Sequence, residues 1–242
     1  MKFIADTHTH TIMSGHAHST VIENIQEAAR KGFKFLAVTD HTGIMPDAPS
    51  ETYFKCMWSA MPDEYLGVNI LRGCEANILD ETGKLDVSAN TLSRLEWVIA
   101  SIHAVLTKPM DIDAHTELWC NIAKNPDVDV IGHCGEENYK FDYEKGVRAF
   151  AEYGKIVEIN SASFRNRPTC KDNCMEIARL CVKYNVPLVV SSDAHFASDV
   201  GNFDVAVKYL TEAGIPESAI LNTNLEKFTE HLSKMTGRKF II

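Results

Sequence analysis

The sequence lacks long hydrophobic runs and stretches of biased composition. No segment approaches the roughly 18 consecutive apolar residues that a membrane-spanning helix needs, and no Pro-, Gly- or Ser-rich linker divides the 242 residues. We therefore expect one domain over residues 1–242 that does not cross a membrane. The opening MKFIADTHTH turns polar after five residues, so we also expect no signal peptide and a cytoplasmic location.

Positive charge is scarce as well. The chain has 24 Lys and Arg residues against 33 Asp and Glu residues, which gives a net charge of -9 with histidine neutral. This balance argues against a broad basic surface for long nucleic acids. It does not exclude a small phosphorylated substrate, because bound divalent cations would offset the charge locally.

Cysteine pairing motifs are also missing. The seven cysteines are scattered and odd in number, which indicates free thiols in a reducing compartment. Cys170 and Cys174 have the spacing of half a metal site, but no second Cys or His pair of similar spacing accompanies them. We expect both to be buried or helix-face thiols.

What the chain does contain is a regular alternation of strand and helix patterns. Short apolar, β-branched runs cover 2–8, 35–41, 69–76, 95–103, 129–135, 156–163 and 188–195, and helical patterns cover 20–31, 142–154, 172–185, 202–213 and 224–235. This alternation predicts the α/β class, with a parallel sheet covered by helices. Seven units without an evident edge strand favour a closed barrel. An open doubly wound sheet is the alternative, but it would need a glycine-rich turn after the first strand to bind a nucleotide.

Side chains that bind metals recur where the predicted strands end. His8 and His10 lie two residues apart, so on a strand they would point to the same face. The later strand ends and the loop after the first strand supply seven more candidates: His16, His41, Glu75, His103, His133, Asp193 and His195. In a barrel all nine would surround one cleft at the C-terminal end of the strands.

The kinds of ligand suggest the metal and the number of ions. Imidazoles and carboxylates without paired thiolates suit zinc, manganese or iron. Nine ligands, at three or four per ion, predict two or three ions. Glu75 is the natural bridge, since one carboxylate can bind two ions through its two oxygens.

The motifs DTHTH, SGHAHST, TDH, GCEAN, SIH, GHCG and SSDAH resemble, in this order, those of the PHP family, named for polymerase and histidinol phosphatase. The resemblance covers essentially the whole chain and is greatest to the small YcdX-type probable phosphatases. It implies a distorted (β/α)7 TIM-like barrel in a single domain. It also implies three bound ions, usually zinc, with manganese and iron as alternatives.

The resemblance further implies how the ligands are shared. The first ion would be bound by His8, His10, Glu75 and Asp193. The second would be bound by His16, His41 and His195. The third would be bound by His103 and His133, with Glu75 as the bridge. Family members usually have proline after the histidine of the fifth strand, where this chain has Cys134, so that thiol could compete for the third ion.

A cluster of divalent ions suits the hydrolysis of phosphate monoesters. Zinc lowers the pKa of bound water from 15.7 to about 7, and paired ions hold the attacking and leaving oxygens. We therefore predict a metal-dependent phosphatase with a small phosphorylated substrate, in which a hydroxide bridging two ions attacks phosphorus while the third ion holds a phosphoryl oxygen. Glu75, Asp193 and His195 are predicted to be catalytic through the ions they hold. A homo-oligomer is compatible with the sequence.

Other polar residues are predicted to support the site. Asp6 and Asp40 stand beside ligating imidazoles, so each is expected to accept a hydrogen bond from a second ring N–H, with capping as the alternative. Four residues in and after the sixth predicted strand are candidates for binding substrate: Asn160, Ser161, Arg165 and Arg167.

Three other functions remain open. An amidohydrolase-type or deaminase-type enzyme also begins with His-x-His on a barrel strand, but it usually needs only one or two ions. Within the PHP family, histidinol-phosphate phosphatase and a 3′–5′ exonuclease for short oligonucleotides are alternatives. A non-catalytic metal-binding protein is the third possibility.

Overall fold

A computed structural model of the protein describes residues 1–240. Within this range seven parallel strands follow one another in the sheet: β1 Ala5–Asp6, β2 Phe35–Val38, β4 Val68–Asn77, β5 Trp97–Ser101, β6 Val130–Ile131, β7 Ile156–Asn160 and β8 Leu188–Ser191. A short strand, β3 Glu64–Tyr65, pairs antiparallel with β4.

Helices cover the outside of this sheet and one end of it. Within residues 1–240 they are α1 Val21–Arg30, α2 Glu51–Ala60, α3 Ala89–Leu92, α4 Ile112–Lys124, α5 Tyr143–Glu152, α6 Ser161–Asn166, α7 Lys171–Tyr184, α8 Asp204–Glu212 and α9 Leu225–Thr236. None of these helices combines the length and the apolar composition that crossing a bilayer requires.

The sheet closes on itself between β1 and β8. Thr9 and Ala194 form a parallel bridge, and the N–H of His10 donates to the Ala194 carbonyl at 2.8 Å. Between the two strands themselves, the buried side chain of Asn222 connects β1 with β8. Its Oδ1 accepts from the Val190 N–H at 3.1 Å, and its Nδ2 donates to the Ala5 carbonyl at 3.0 Å. The predicted barrel of seven parallel strands is therefore confirmed, with part of the seam between β1 and β8 formed by one side chain.

Two apolar clusters hold the barrel together. The larger lies between the strands and the covering helices, and the smaller fills the barrel interior around Phe35, Trp97 and Ile99. Phe228 and Leu232 of α9 belong to the interior cluster, so α9 closes the end of the barrel remote from the predicted ligands. This packing leaves the opposite mouth free for polar side chains.

The predicted strands lie in the right places, and all but one are too long; the exception is 69–76, which is one residue short at each end of β4 Val68–Asn77. Residues 161–163 form the start of α6, not the end of a strand, because the Asn160 side chain accepts the Ser163 N–H at 3.0 Å and caps the helix. The run 129–135 contains only a two-residue strand. Most predicted ligands consequently lie in the loops just beyond the strands, whereas Glu75 lies on β4 itself.

Candidate metal centre

The nine predicted ligands come together at the open mouth of the barrel. His8 and His10 are fully buried, and their Nε2 atoms lie 3.0 Å apart. Glu75 Oε2 lies 3.4 Å from His8 Nε2 and 3.5 Å from His10 Nε2. Asp193 Oδ1 lies 3.2 Å from His10 Nε2. The predicted convergence of His8 and His10 is thus present, with two carboxylates beside them.

The remaining ligands extend this cluster towards solvent. Glu75 Oε1 lies 3.0 Å from His133 Nε2 and 3.4 Å from His103 Nε2. His16 Nε2 and His195 Nε2 are 3.0 Å apart. Three groups have donor atoms close enough to share an ion: His8, His10 and Glu75; His10, His41 and His195; and His41, Glu75 and His103. His10 belongs to two of these groups, which the resemblance did not imply.

The donor atoms themselves fit divalent ions. Two imidazole nitrogens 3.0 Å apart can share at most one proton, so the His8–His10 and His16–His195 contacts leave lone pairs directed into the same space. His41 Nδ1 is buried and lacks a hydrogen-bond partner in the described structure, although Glu75 Oε2 is 2.8 Å away. Both atoms are therefore oriented towards a common point and not towards each other. Buried nitrogen and oxygen donors in this arrangement suit zinc, manganese or iron.

Glu75 and His10 have pKa shifts that suit metal binding, whereas at His8 the carboxylates of Glu158 and Glu75 outweigh burial and hold the pKa well above its ordinary value. Burial raises the pKa of Glu75, but the imidazoles of His8, His103 and His41 outweigh it and bring this pKa well below its ordinary value. Burial and the neighbouring His41 lower the pKa of His10 well below its ordinary value. Glu75 is thus charged and His10 neutral at neutral pH, which are the forms that bind metal ions.

A carboxylate that the sequence analysis did not identify positions His8. Glu158 lies on β7, and its Oε1 is 2.6 Å from His8 Nδ1. Its Oε2 accepts the backbone N–H of His133 at 2.8 Å. Glu158 therefore fixes the ring of one ligand and the backbone of another. The available signal was an acidic residue within the otherwise apolar run IVEI at 156–159.

The prediction that Asp40 accepts a hydrogen bond from an imidazole ring is wrong, because its partners among the described residues are Thr11, Ser14 and Tyr53, and it acts on a ligand only through Ser14. It accepts a hydrogen bond from Ser14 Oγ at 2.7 Å, and Ser14 Oγ lies 3.0 Å from His10 Nδ1. Asp6 differs from its expected role, because it accepts hydrogen bonds from Ser192 N and Gly201 N at 3.1 and 2.7 Å. The prediction that Asp6 contacts an imidazole ring is therefore wrong, and its contacts are those of the capping alternative.

The four candidate substrate-binding residues have different surroundings. Asn160 Nδ2 donates to Asp193 Oδ2 at 3.1 Å, so this side chain orients a ligand. Ser161 is fully buried in the first turn of α6. Arg165 is exposed and lies 3.5 Å from the Asn202 carbonyl. Arg167 lines the cleft beside the ligands. Of the four, only Arg167 has a position suited to the predicted role.

Two ligands lie on backbone with an unusual conformation. His133 has a φ of +23° and Asp193 a φ of +54°, in the region that normally favours glycine. The His133 N–H is held by Glu158 at 2.8 Å, and the Asp193 N–H donates to the His8 carbonyl at 3.0 Å. Non-glycine residues keep such conformations where the surroundings fix them, and such positions concentrate at functional sites.

Cys134 follows His133 but points into the core. It belongs to the apolar cluster outside the barrel, and burial raises the pKa of its thiol to about 12. A buried, protonated thiol is a poor metal ligand. The expectation that Cys134 competes for the third ion is therefore not supported by its position.

Seven of the nine predicted ligands, all except His8 and His10, line an open cleft of about 540 Å³. Its other lining residues are Met45, Pro46, Ala104, Val105, Asn166 and Arg167. The cleft has the size of a small-molecule site. The imidazoles and carboxylates of this lining could hold cations, and the other lining residues could contact a bound small molecule.

Comparison with known proteins identifies the family. Residues 6–162 match the model of the PHP domain, and residues 171–221 match that of a PHP-associated segment. The chain is 44% identical over 238 residues to a probable phosphatase of Acetivibrio thermocellus, covering 98% of each chain.

Two solved structures share the fold. Histidinol phosphate phosphatase from Lactococcus lactis, complexed with zinc, L-histidinol and phosphate, has a TM-score of 0.62 at 14% identity, covering 89% of this chain and 95% of that one. A probable 2-pyrone-4,6-dicarboxylic acid hydrolase from Acinetobacter baumannii has a TM-score of 0.54 at 15% identity, covering 96% of this chain and 100% of that one. At these identities the likeness concerns the fold alone. The domain match and the full-length similarity to the Acetivibrio protein show that this chain belongs to the PHP family.

Proposed function

We propose that this chain is a metal-dependent phosphatase that hydrolyses small phosphomonoesters with three divalent ions, zinc foremost, held at the mouth of the barrel. The observation that carries the proposal is the cluster that Glu75 forms with eight other imidazole and carboxylate side chains beside an open cleft. The similarity to a probable phosphatase over 98% of the chain supports the reaction class. The zinc and phosphate in the Lactococcus lactis histidinol phosphate phosphatase support the choice of metal and substrate group.

Glu75 is the proposed bridging ligand because its two oxygens face different histidines. Oε1 is close to His103 and His133, at 3.4 and 3.0 Å. Oε2 is close to His41 and His8, at 2.8 and 3.4 Å. One carboxylate can therefore serve ions on both sides and hold them at a fixed separation.

Asp193 and His195 complete the proposed catalytic set. Asp193 is oriented by Asn160 on one side and approaches His10 on the other. His195 is half-exposed and meets His16 at the solvent side of the cluster. Bound divalent ions supply acidified water and neutralise phosphoryl charge. The protein's own contribution is to fix the ligands before substrate arrives.

Arg167 is the proposed protein contact for the phosphoryl group. Its guanidinium donates to Glu136 Oε1 and, at 3.2 Å, to Ser163 Oγ. Each terminal nitrogen of an arginine carries two N–H groups, so one on each remains for a phosphoryl oxygen. The pairing with Glu136 also holds the side chain at the edge of the cleft.

Metal depletion tests the proposal. We expect chelation to abolish hydrolysis of 4-nitrophenyl phosphate, and added zinc or manganese to restore it as the metal content approaches three ions per chain. A parallel assay with a dihydropyrimidine amide and a short oligonucleotide separates the amidohydrolase and exonuclease alternatives. Full phosphatase activity in metal-free protein, or faster turnover of the amide, would contradict the proposal.

A further inference from the structure

One wall of the cleft has no part in metal binding. It is formed by Met45, Pro46, Ala104 and Val105, which we call the apolar wall. Val105 is 72% exposed, although apolar side chains are normally placed to reduce their contact with water. The apolar wall stands beside His41 and His103, so a molecule whose phosphoryl group lies over the ligands would touch it.

Met45 and Pro46, the first half of the apolar wall, follow a turn at residues 42–44 that is held by hydrogen bonds. Asp86 accepts the Thr42 hydroxyl at 2.6 Å and the Ile44 N–H at 3.0 Å. Gly43 has a φ of +54°, and a Cβ added there would meet Asp86 Oδ2 at 2.4 Å, so the turn fits closely against this carboxylate. Met45 is packed from behind and is only 8% exposed.

Ala104 and Val105, the second half of the apolar wall, also lie in a turn held by hydrogen bonds. The carbonyl of His103 accepts the N–H groups of Leu106 and Thr107, both at 2.9 Å, which places Ala104 and Val105 in a tight turn. The Tyr139 hydroxyl donates to the Thr107 carbonyl at 2.7 Å and anchors the far side of this turn. An apolar surface that is already rigid can bind a ligand without an ordering cost.

Charge around the apolar wall is balanced. Among the described residues that line the cleft, Arg167 is the charged side chain outside the ligand set, and Glu136 neutralises it. The carboxylates in the lining, Glu75 and Asp193, belong to the metal centre. Arg167 is assigned to the phosphoryl group, and Asp86 is hydrogen-bonded to the turn before Met45 and lies outside the lining, so neither an anionic nor a cationic leaving group would find an unpaired counter-charge among the described lining residues.

We propose that the substrate's leaving group is an uncharged, apolar alcohol or phenol that packs against the apolar wall. This inference rests on the proposed phosphatase function and adds a substrate class to it. It separates the chain from an enzyme for amino-alcohol phosphates such as histidinol phosphate, whose leaving group carries an ammonium ion. It also disfavours nucleotides and sugar bisphosphates, which carry further negative charge.

Three aryl phosphates with phenols of nearly equal acidity test the inference. They are 4-propylphenyl phosphate, 4-(carboxymethyl)phenyl phosphate and 4-(2-aminoethyl)phenyl phosphate, with phenyl phosphate as the reference. For the zinc-loaded protein we expect kcat/KM to be about tenfold higher for the propyl compound than for either charged one, mainly through a lower KM.

A matched pair of variants shows whether the apolar wall causes this preference. Val105→Asp should lower kcat/KM for the propyl compound about tenfold and make the aminoethyl compound the preferred substrate of the three. Ile112→Asp, at another exposed apolar residue that is 55% exposed and outside the cleft lining, should leave the order unchanged. Val105→Asn, which adds polarity without charge, should remove the propyl preference without creating one for the aminoethyl compound. Metal content is measured for each variant.

The possible failures are distinguishable. Hydrolysis of phenyl phosphate with equal kcat/KM for the three substituted compounds, or with a preference for a charged one, would overturn the inference and leave the phosphatase function standing. An unchanged order in Val105→Asp would overturn the role of the apolar wall. No turnover of any phosphomonoester by fully metal-loaded protein would overturn the proposed function, and the inference with it.

Discussion

Glu158 shows how much a single buried side chain contributes to this centre. It holds the ring of His8 at 2.6 Å and the backbone of His133 at 2.8 Å. Replacing Glu158 with Gln removes the negative charge that keeps His8 oriented and basic. We expect Glu158→Gln to lower metal affinity and kcat/KM by about 10- to 100-fold, measured by elemental analysis and by assay at limiting zinc.

The control for this change is Glu230→Gln, because Glu230 is an exposed carboxylate on α9 that pairs with Lys234. That variant should retain the metal content and activity of the unchanged protein. Full zinc occupancy and full activity in Glu158→Gln would show that His8 needs no such partner.

Arg167 and Arg165 offer a matched comparison two residues apart. Arg167 lines the cleft, whereas Arg165 is exposed and lies near the Asn202 carbonyl. We expect Arg167→Met to lower kcat/KM for 4-nitrophenyl phosphate by about 10- to 100-fold with unchanged metal content, because a charge-assisted contact to the phosphoryl group is lost. Arg165→Met should change kcat/KM less than twofold. Equal effects of the two substitutions would argue against a substrate contact by Arg167.

The convergence of the candidate ligands could be predicted more readily than the side chains that orient them. His41, His103 and His133 follow apolar strands, and parallel strands bring their C-terminal ends to one edge. By contrast, the contact between Glu158 and His8 joins residues 150 positions apart. Nothing in the local pattern specifies which carboxylate faces which ring. For the same reason Asp6, which stands close to His8 in the sequence, was assigned the wrong partner.

The seam between β1 and β8 depends on Asn222. Its side chain is fully buried and makes hydrogen bonds to Val190 N, Val190 O and Ala5 O at 3.1, 2.8 and 3.0 Å. Asn222→Ala would leave these backbone groups buried without partners. We expect the free energy of unfolding to fall by about 2–4 kcal/mol, measured by urea denaturation of the metal-loaded protein.

Asn121→Ala serves as the control, because the hydrogen bonds of this side chain are exposed: its Nδ2 donates to the Glu81 carbonyl and its Oδ1 accepts from Lys124 Nζ, both at 3.1 Å. Its effect should stay below about 1 kcal/mol. A similarly small loss in Asn222→Ala would mean that the barrel closes without help from this side chain.

Element positions followed from the sequence, but element lengths depended on tertiary contacts. The strand β6 has two residues, because Gly132 packs so closely that an added Cβ would lie 2.1 Å from Ser101 Oγ, and His133 then turns the chain with a positive φ. The helix α4 was not predicted, although Asp111 caps it and its buried residues have helical spacing. The antiparallel β3 is a two-residue strand, too short to have a pattern.

The stability of the whole protein should depend on the ionisation of Asp129. Burial of the carboxyl raises its pKa from 3.8 to about 7, although the residue is partly exposed. Above its ordinary pKa the unfolded chain loses this proton while the folded chain keeps it, so the contribution of Asp129 becomes less favourable as the pH rises from about 4 to 7.

Asp129→Asn removes this dependence, and its amide oxygen can still accept the Val98 N–H. The quantity of interest is the free energy of unfolding of the variant minus that of the unchanged protein. We expect this difference to increase by about 1–2 kcal/mol from pH 5 to pH 8. Urea denaturation at both pH values measures the difference. Asp113→Asn, at an exposed position on α4, should show no such trend. A constant difference for Asp129→Asn across this pH range would contradict the assignment.

The bridge between Thr9 and Ala194 joins two distant parts of the chain, and this has a consequence for biosynthesis. A ribosome-bound chain that has emerged only as far as residue 190 already contains seven of the nine predicted ligands, yet it has neither Asp193 nor His195 and cannot form that bridge. Contacts so remote in sequence form late in folding. The proposed centre can therefore be completed only after residue 195 has been translated, and we expect a chain truncated before this residue to lack phosphatase activity.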